Sequence, residues 1–164
     1  MSPSNLNKEH LGVVVIAIIA MVIIVFLIPK ETTPPDYDLG DRYFNISTDR
    51  SIYNRGDTVT VTVNNVFNET MYLSYSGCEG NAFGVSKYEE VWKDFPAGCG
   101  FCKIQIVNEI LEPGETKSYE WDQVVYLNPG PCEKAEAEPG TYRITVETTR
   151  GTRIKSYSKP FKIV

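Results

Sequence analysis

Residues 58–63 read TVTVTV. In an extended chain successive side chains point to opposite faces, so Val59, Val61 and Val63 share one face and the threonines the other. A helix would scatter the same residues around its circumference. The alternation recurs in MYLSYS (71–76) and in YRITVET (142–148), where Tyr142, Ile144 and Val146 align. Shorter candidates are YFNIS (43–47), KIQIV (103–107) and KSYEW (117–121), and residues 153–164, RIKSYSKPFKIV, add a strand interrupted at Pro160. NRGD, NNVFN, EPGE, NPGP, EPGT and TRGT supply turns between them. This punctuation predicts an all-β fold, a sandwich of about seven strands over residues 43–164.

A different solvent is written into the N-terminal part. Leu11 to Ile28, LGVVVIAIIAMVIIVFLI, carries no charge and no strongly polar side chain. As a helix rising about 1.5 Å per residue it would cover most of a hydrocarbon core of about 30 Å. The run is longer than a secretory h-region and FLIPKETTPP offers no small-x-small cleavage site, so we expect an uncleaved signal anchor. The alternatives are a cleaved signal and a pilin-type leader. Residues 1–10 then form a short cytoplasmic tail, and PKETTPPDYDLGDR (29–42) a proline-rich spacer. Lys8 before the run, and Lys30 and Arg42 after it, leave the orientation open. Cys78, Cys99, Cys102 and Cys132, and the sequons at Asn45 (NIS) and Asn68 (NET), all follow the run. Cysteines and sequons both suit an extracytoplasmic, oxidising location.

Three patterns carry a family resemblance: YNRGDTVTVTVNN, LEPGETKSYEWDQ and EPGTYRITV, followed by YSKPFKIV. In this order they resemble bacterial and archaeal immunoglobulin-like envelope domains, some grouped with intracellular proteinase inhibitors. The resemblance implies an immunoglobulin-like sandwich over residues 43–164. In PGTY the turn at Gly140 delivers Tyr142 to a strand start, the place of a tyrosine corner whose hydroxyl bonds back to the backbone. Trp121 and Trp92 are expected in the core, each needing a partner for its indole N–H.

GCGFCK (98–103) raises the question of cysteine chemistry. Cys-Gly-x-Cys-Lys is a thioredoxin-type arrangement when it opens a helix, where the N-terminus activates the first thiol. Here YEEVWKDFPAG precedes it and further strand patterns follow, with no βαβ alternation. Zinc would need four converging thiolates, and only one close pair exists. Two structural disulfides are the expected use, with three pairings open. The family resemblance implies Cys78 bonded to one of Cys99 and Cys102, and Cys132 to the other. These bonds would fasten residues 79–102, an insertion rich in glycine and poor in periodicity.

The one histidine, His10, precedes the apolar run, which removes His-dependent hydrolase and copper chemistry from the domain. No glycine-rich phosphate loop is present. We therefore expect no enzyme, no cofactor, no metal, no small-molecule substrate and no nucleic acid partner. RGD at 55–57 reads as the turn launching the TVTVTV strand rather than an adhesion motif. The sequence has a net charge of −5, yet residues 140–164 hold Arg143, Arg150, Arg153, Lys155, Lys159 and Lys162 against Glu147 alone. Candidate contacts with a protein or envelope-polymer partner are therefore of two kinds. One set lies in the insertion (Phe83, Tyr88, Trp92, Phe95, Phe101), the other in a basic terminal hairpin (Arg150, Arg153, Lys155). The expected function is non-catalytic binding at the cell envelope. The alternatives are a membrane-tethered thiol-disulfide oxidoreductase using Cys99 and Cys102, and a protease inhibitor.

Overall fold

The chain divides into two units, Met1–Thr33 and Pro34–Val164. The computed structural model describes residues 43–76, 82–96, 106–127, 133–150 and 152–164, all within the second unit. Among the described residues no helix is long and apolar enough to cross a membrane, and the run 11–28 lies outside them.

The protein is all-β. Three strands form one sheet in the order β1 (Phe44–Thr48), β3 (Val59–Asn65), β8 (Thr116–Trp121). A larger sheet runs β2 (Ile52–Tyr53), β13 (Phe161–Ile163), β11 (Gly140–Arg150), β4 (Met71–Ser76), β7 (Ile106–Leu111). Three more strands join it: β12 (Thr152–Tyr157) beside β11, and the hairpin β5 (Gly84–Glu89) and β6 (Val91–Asp94), with β5 also on β11. A short pair, β9 (Val124–Tyr126) and β10 (Lys134–Glu136), completes the set.

The alternating residues fill the interior. Val59, Val61 and Val63 of β3 are fully buried, as are Tyr142, Ile144 and Val146 of β11. Both sheets feed one core: the Trp121 ring lies 6.0 Å from Tyr142 and 6.2 Å from Phe161, and its Nε1–H donates to the Val124 carbonyl at 2.8 Å. The Tyr142 hydroxyl donates to the Glu138 carbonyl at 2.5 Å, tying the start of β11 to the chain before it.

The described strands number thirteen rather than about seven. Local interruptions account for part of the difference. RIKSYSKPFKIV is split into β12 and β13 because Pro160 has no N–H to give a ladder. Ser158 occupies the break: its Oγ accepts from the Ile144 N–H at 2.9 Å and donates to the Lys159 carbonyl. Of KIQIV (103–107), Ile106 and Val107 open β7, which runs on to Leu111, fully buried opposite Met71, while residues 103–105 lie outside the described residues.

The insertion 79–102 departs further from expectation. Residues 84–94 are a regular hairpin whose first strand pairs with β11, Val85 opposite Ile144. Val85 is buried in the common core, so core packing and a shared ladder support this part. We therefore expect hydrogen exchange of the β5 amides to stay slow after reduction of the protein, in step with Val61 and Ile144. Loss of β5 protection with retention at Val61 would show that disulfides alone hold it.

The RGD turn is built into the fold. The Asp57 N–H donates to the Asn54 carbonyl, and Gly56 sits at φ +83°, a conformation open to glycine at little cost. Buried Gln123 clamps the turn, accepting from the Gly56 N–H and donating to the Asn54 carbonyl. Arg55 pairs with Glu136 and Asp57 with Arg50, so both charges are engaged internally.

Burial foremost, then the carboxylates of Glu138 and Glu89, push the Tyr142 phenol up to about 12 from its ordinary 10.0. The fold thus favours the neutral phenol. Its contribution is intact below pH 10 and lost as pH rises through about 12. Tyr142→Phe should cost about 1 kcal/mol at neutral pH by removing one hydrogen bond. It should also flatten the fall in stability between pH 10 and 12, leaving the share due to Tyr53, likewise raised by burial and Asp49. An unaltered alkaline slope in urea titrations would count against this assignment.

Candidate binding face

The register brings two distant parts of the sequence onto one outward face. Inward-pointing Val85 opposes Ile144, so the next residues, Ser86 and Arg143, take the opposite side of the sheet, where Ser86 is itself fully buried beneath its neighbours. Across the hairpin Ser86 opposes Asp94 and Tyr88 opposes Trp92. Across β11 and β12, Thr145 opposes Tyr157 and Glu147 opposes Lys155. Side chains from β5, β6, β11 and β12 therefore form one surface.

The contacts follow from that register. The Arg143 guanidinium stacks between two rings, 4.3 Å from the Trp92 centroid and 3.9 Å from that of Tyr157. Tyr88 leans on Trp92, with centroids 5.3 Å apart and tilted by 59°. Beside this stack the Asp94 carboxylate accepts from Ser86 Oγ at 2.7 Å and from Lys155 Nζ at 3.1 Å. Lys155 also pairs with Glu147 at 3.0 Å.

The ionisations are set locally. Burial acts to raise the Asp94 carboxyl, but hydrogen bonds from Ser86 and Lys155 outweigh it and hold the group below its usual range. The bond to Glu147 pushes the Lys155 amine up. Burial acts against the charge of Arg143, whose Nε is buried and meets no hydrogen-bond partner.

The contact residues expected from sequence separate here. Tyr88, Trp92 and Lys155 lie on the face, with Trp92 half-buried on it rather than in the core. Phe83 is in the core, 3% exposed and 6.1 Å from the Tyr119 ring, which corrects its reading as a contact residue. Phe95 packs partly against the same core, its N–H donating to the Val85 carbonyl. Arg150 and Arg153 belong to β11 and β12, but their side chains, like residues Phe101, Cys78, Cys99, Cys102 and Cys132, lie outside the described residues. Among the described side chains of the terminal hairpin, Lys155 is bound by two carboxylates and Arg143 is walled by rings. Asn45 on β1 and Asn68 in the turn after β3 are both exposed, as a glycan acceptor must be.

Arg143 and Tyr157 are the residues sequence reasoning left off the site. Alternation was the further signal, beyond the place of Arg143 in the basic cluster: Arg143 falls between inward Tyr142 and Ile144, hence on the other side of the sheet. A groove of about 820 Å³ runs along β1, bordered by Arg50, Tyr157, Lys159 and Pro160. Among the described residues no group of three or more His, Cys, Asp or Glu side chains comes together as a metal site would require.

No protein-family model and no curated protein matches the chain. Among solved structures it is similar to a β-glucosidase from Listeria innocua in complex with isofagomine, at 18% identity and a TM-score of 0.33. That match covers 73% of this chain and 16% of that one. A β-glucosidase from Erythrobacter marinus is similar at 14% identity and a TM-score of 0.34, with 73% and 15% covered. Likenesses this slight carry no inference about fold or activity.

Proposed function

We propose that this chain is a single-pass, membrane-anchored module whose immunoglobulin-like sandwich lies outside the cytoplasm. There it binds a protein or an envelope polymer without catalysis. The sheet orders β1-β3-β8 and β2-β13-β11-β4-β7, the parallel β2–β13 pair and the Tyr142 hydroxyl bond support the immunoglobulin-like reading. The apolar run 11–28 supports the anchor, and the cysteines and sequons beyond it support export.

One observation carries the binding function. Tyr88 and Trp92 from the insertion meet Arg143, Tyr157 and Lys155 from the last two long strands on a single face. Tryptophan, tyrosine and arginine are the side chains that dominate interface energetics, through large rigid area and directed hydrogen bonds. A β-ladder beneath holds them in place, so little ordering entropy remains to be lost on binding.

The test is site-specific photo-crosslinking in the native membrane. A photoreactive side chain at Tyr88 should yield a discrete adduct that the same probe at Ile52, 57% exposed on β2, does not. Identical adduct patterns from both positions would remove this face as the binding surface.

A further inference from the structure

Among the described residues, Arg143 Nε is the one buried side-chain nitrogen or oxygen without a hydrogen-bond partner. The guanidinium offers five N–H donors in a fixed planar fork. Its Cζ lies over the Trp92 ring, 4.3 Å from the centroid, and over the Tyr157 ring, 3.9 Å from the centroid. It makes no hydrogen bond or ion pair among the described residues, and its Nε is buried without a partner. The nearby carboxylates give it no hydrogen bond: Asp94 attracts it through space but is bonded to Ser86 and Lys155, and Glu147 is bonded to Lys155. Burial opposes the Arg143 charge, and Tyr157, Asp94 and the Trp92 ring offset part of that. None of them gives the buried Nε–H an acceptor, and a buried donor left unpaired is costly.

We propose that the Trp92–Arg143–Tyr157 stack is the anchor for a carboxylate side chain, an aspartate or glutamate presented by a partner protein. This rests on the binding-face reading above and names the chemistry of its partner. Ring stacking leaves only the edge of the guanidinium for hydrogen bonding, and that edge matches a carboxylate through two parallel N–H···O bonds. The aromatic walls lower the local dielectric and strengthen those bonds. A protein carboxylate is favoured over an acidic sugar by the state of the rings. A pyranose needs a free aromatic face to stack on, whereas Trp92 already meets Arg143 and Tyr88, and Tyr157 already meets Arg143.

The experiment titrates the full chain in detergent micelles with N-acetyl-hexaglutamate amide, with hexaglutamine and an oligogalacturonate as comparators. Binding is read by calorimetry and by the Nε–H resonance of Arg143. Hexaglutamate should bind, shift that resonance, and lose affinity at least tenfold in Arg143→Lys, which keeps the charge but not the fork; hexaglutamine should do none of these. Equal affinity in Arg143→Lys would overturn the proposal by reducing it to bulk charge. An unmoved Nε–H resonance in the unaltered protein would overturn it whether or not the variant folds. Binding of oligogalacturonate in place of hexaglutamate would assign the site to an acidic polymer and overturn the protein partner. If hexaglutamate fails while the Tyr88 crosslink persists, the carboxylate anchor falls and the binding face stands. If the crosslink fails as well, the face itself falls.

Discussion

Trp121→Ala is expected to cost about 3–5 kcal/mol, the range for removing a large aromatic side chain from a packed core. Trp121 is 1% exposed, and it is where the two sheets meet, against Tyr142 on one side and Phe161 on the other. Truncation leaves a void between sheets that cannot close without breaking ladders. It also orphans the Val124 carbonyl, which now accepts the indole N–H. Domains of this size are stable by about 5–15 kcal/mol, so the loss takes a large share of the total. Urea unfolding followed by the fluorescence of Trp92, the other of the two tryptophans, reads the effect directly. A midpoint shift worth less than about 1 kcal/mol would show that the core does not depend on this ring.

The second large effect concerns a polar residue. Asn65 is fully buried at the end of β3, and its Nδ2 donates to the carbonyls of Glu69 and Leu111, each at 2.9 Å. Its Oδ1 accepts from the Phe67 N–H at 3.0 Å. One side chain thus satisfies three backbone groups around the turn into β4 and the end of β7. Asn65→Ala abandons all three, at a cost of at least about 3 kcal/mol, given about 1–3 kcal/mol for each buried group left unpaired. Asn65→Asp should be worse at pH 7, because an ionised carboxylate would face two carbonyl oxygens in the interior. The sign with pH is definite. Burial raises the folded-state pKa of the new carboxyl, so the penalty is full at neutral pH and shrinks as acid protonates it and restores a donor. Asp and Ala variants of equal stability at pH 7, with parallel acid profiles, would refute this account.

Both predictions show where a local pattern suffices and where it stops. Trp121 was legible as a core residue: it closes the alternating stretch KSYEW, and nothing else nearby is as large or as apolar. Asn65 was not, because NNVFN reads as an ordinary turn cluster. Its burial depends on the distant end of β7 coming to lie beside it. The same division separates the two tryptophans. Trp92 is equally apolar, but its hairpin lies at the margin of the larger sheet, paired to β11 through β5 alone, and the ring faces outward.

The sequence by itself determined the all-β character, the inward faces of β3 and β11, the interruption at Pro160, the turn at Gly56 and the apolar run at 11–28. Each of these rests on period, on backbone restriction at proline or glycine, or on unbroken hydropathy, and all are local properties. Only the tertiary structure decided that part of the insertion is a regular hairpin on β11, that Phe83 is interior, that Lys155 is neutralised by Asp94 and Glu147, and that Trp92, Arg143 and Tyr157 form one stack. A period of two tells which face a side chain takes but not which strand lies alongside. That choice is made by the fit of the whole core, through pairings between segments far apart in the chain.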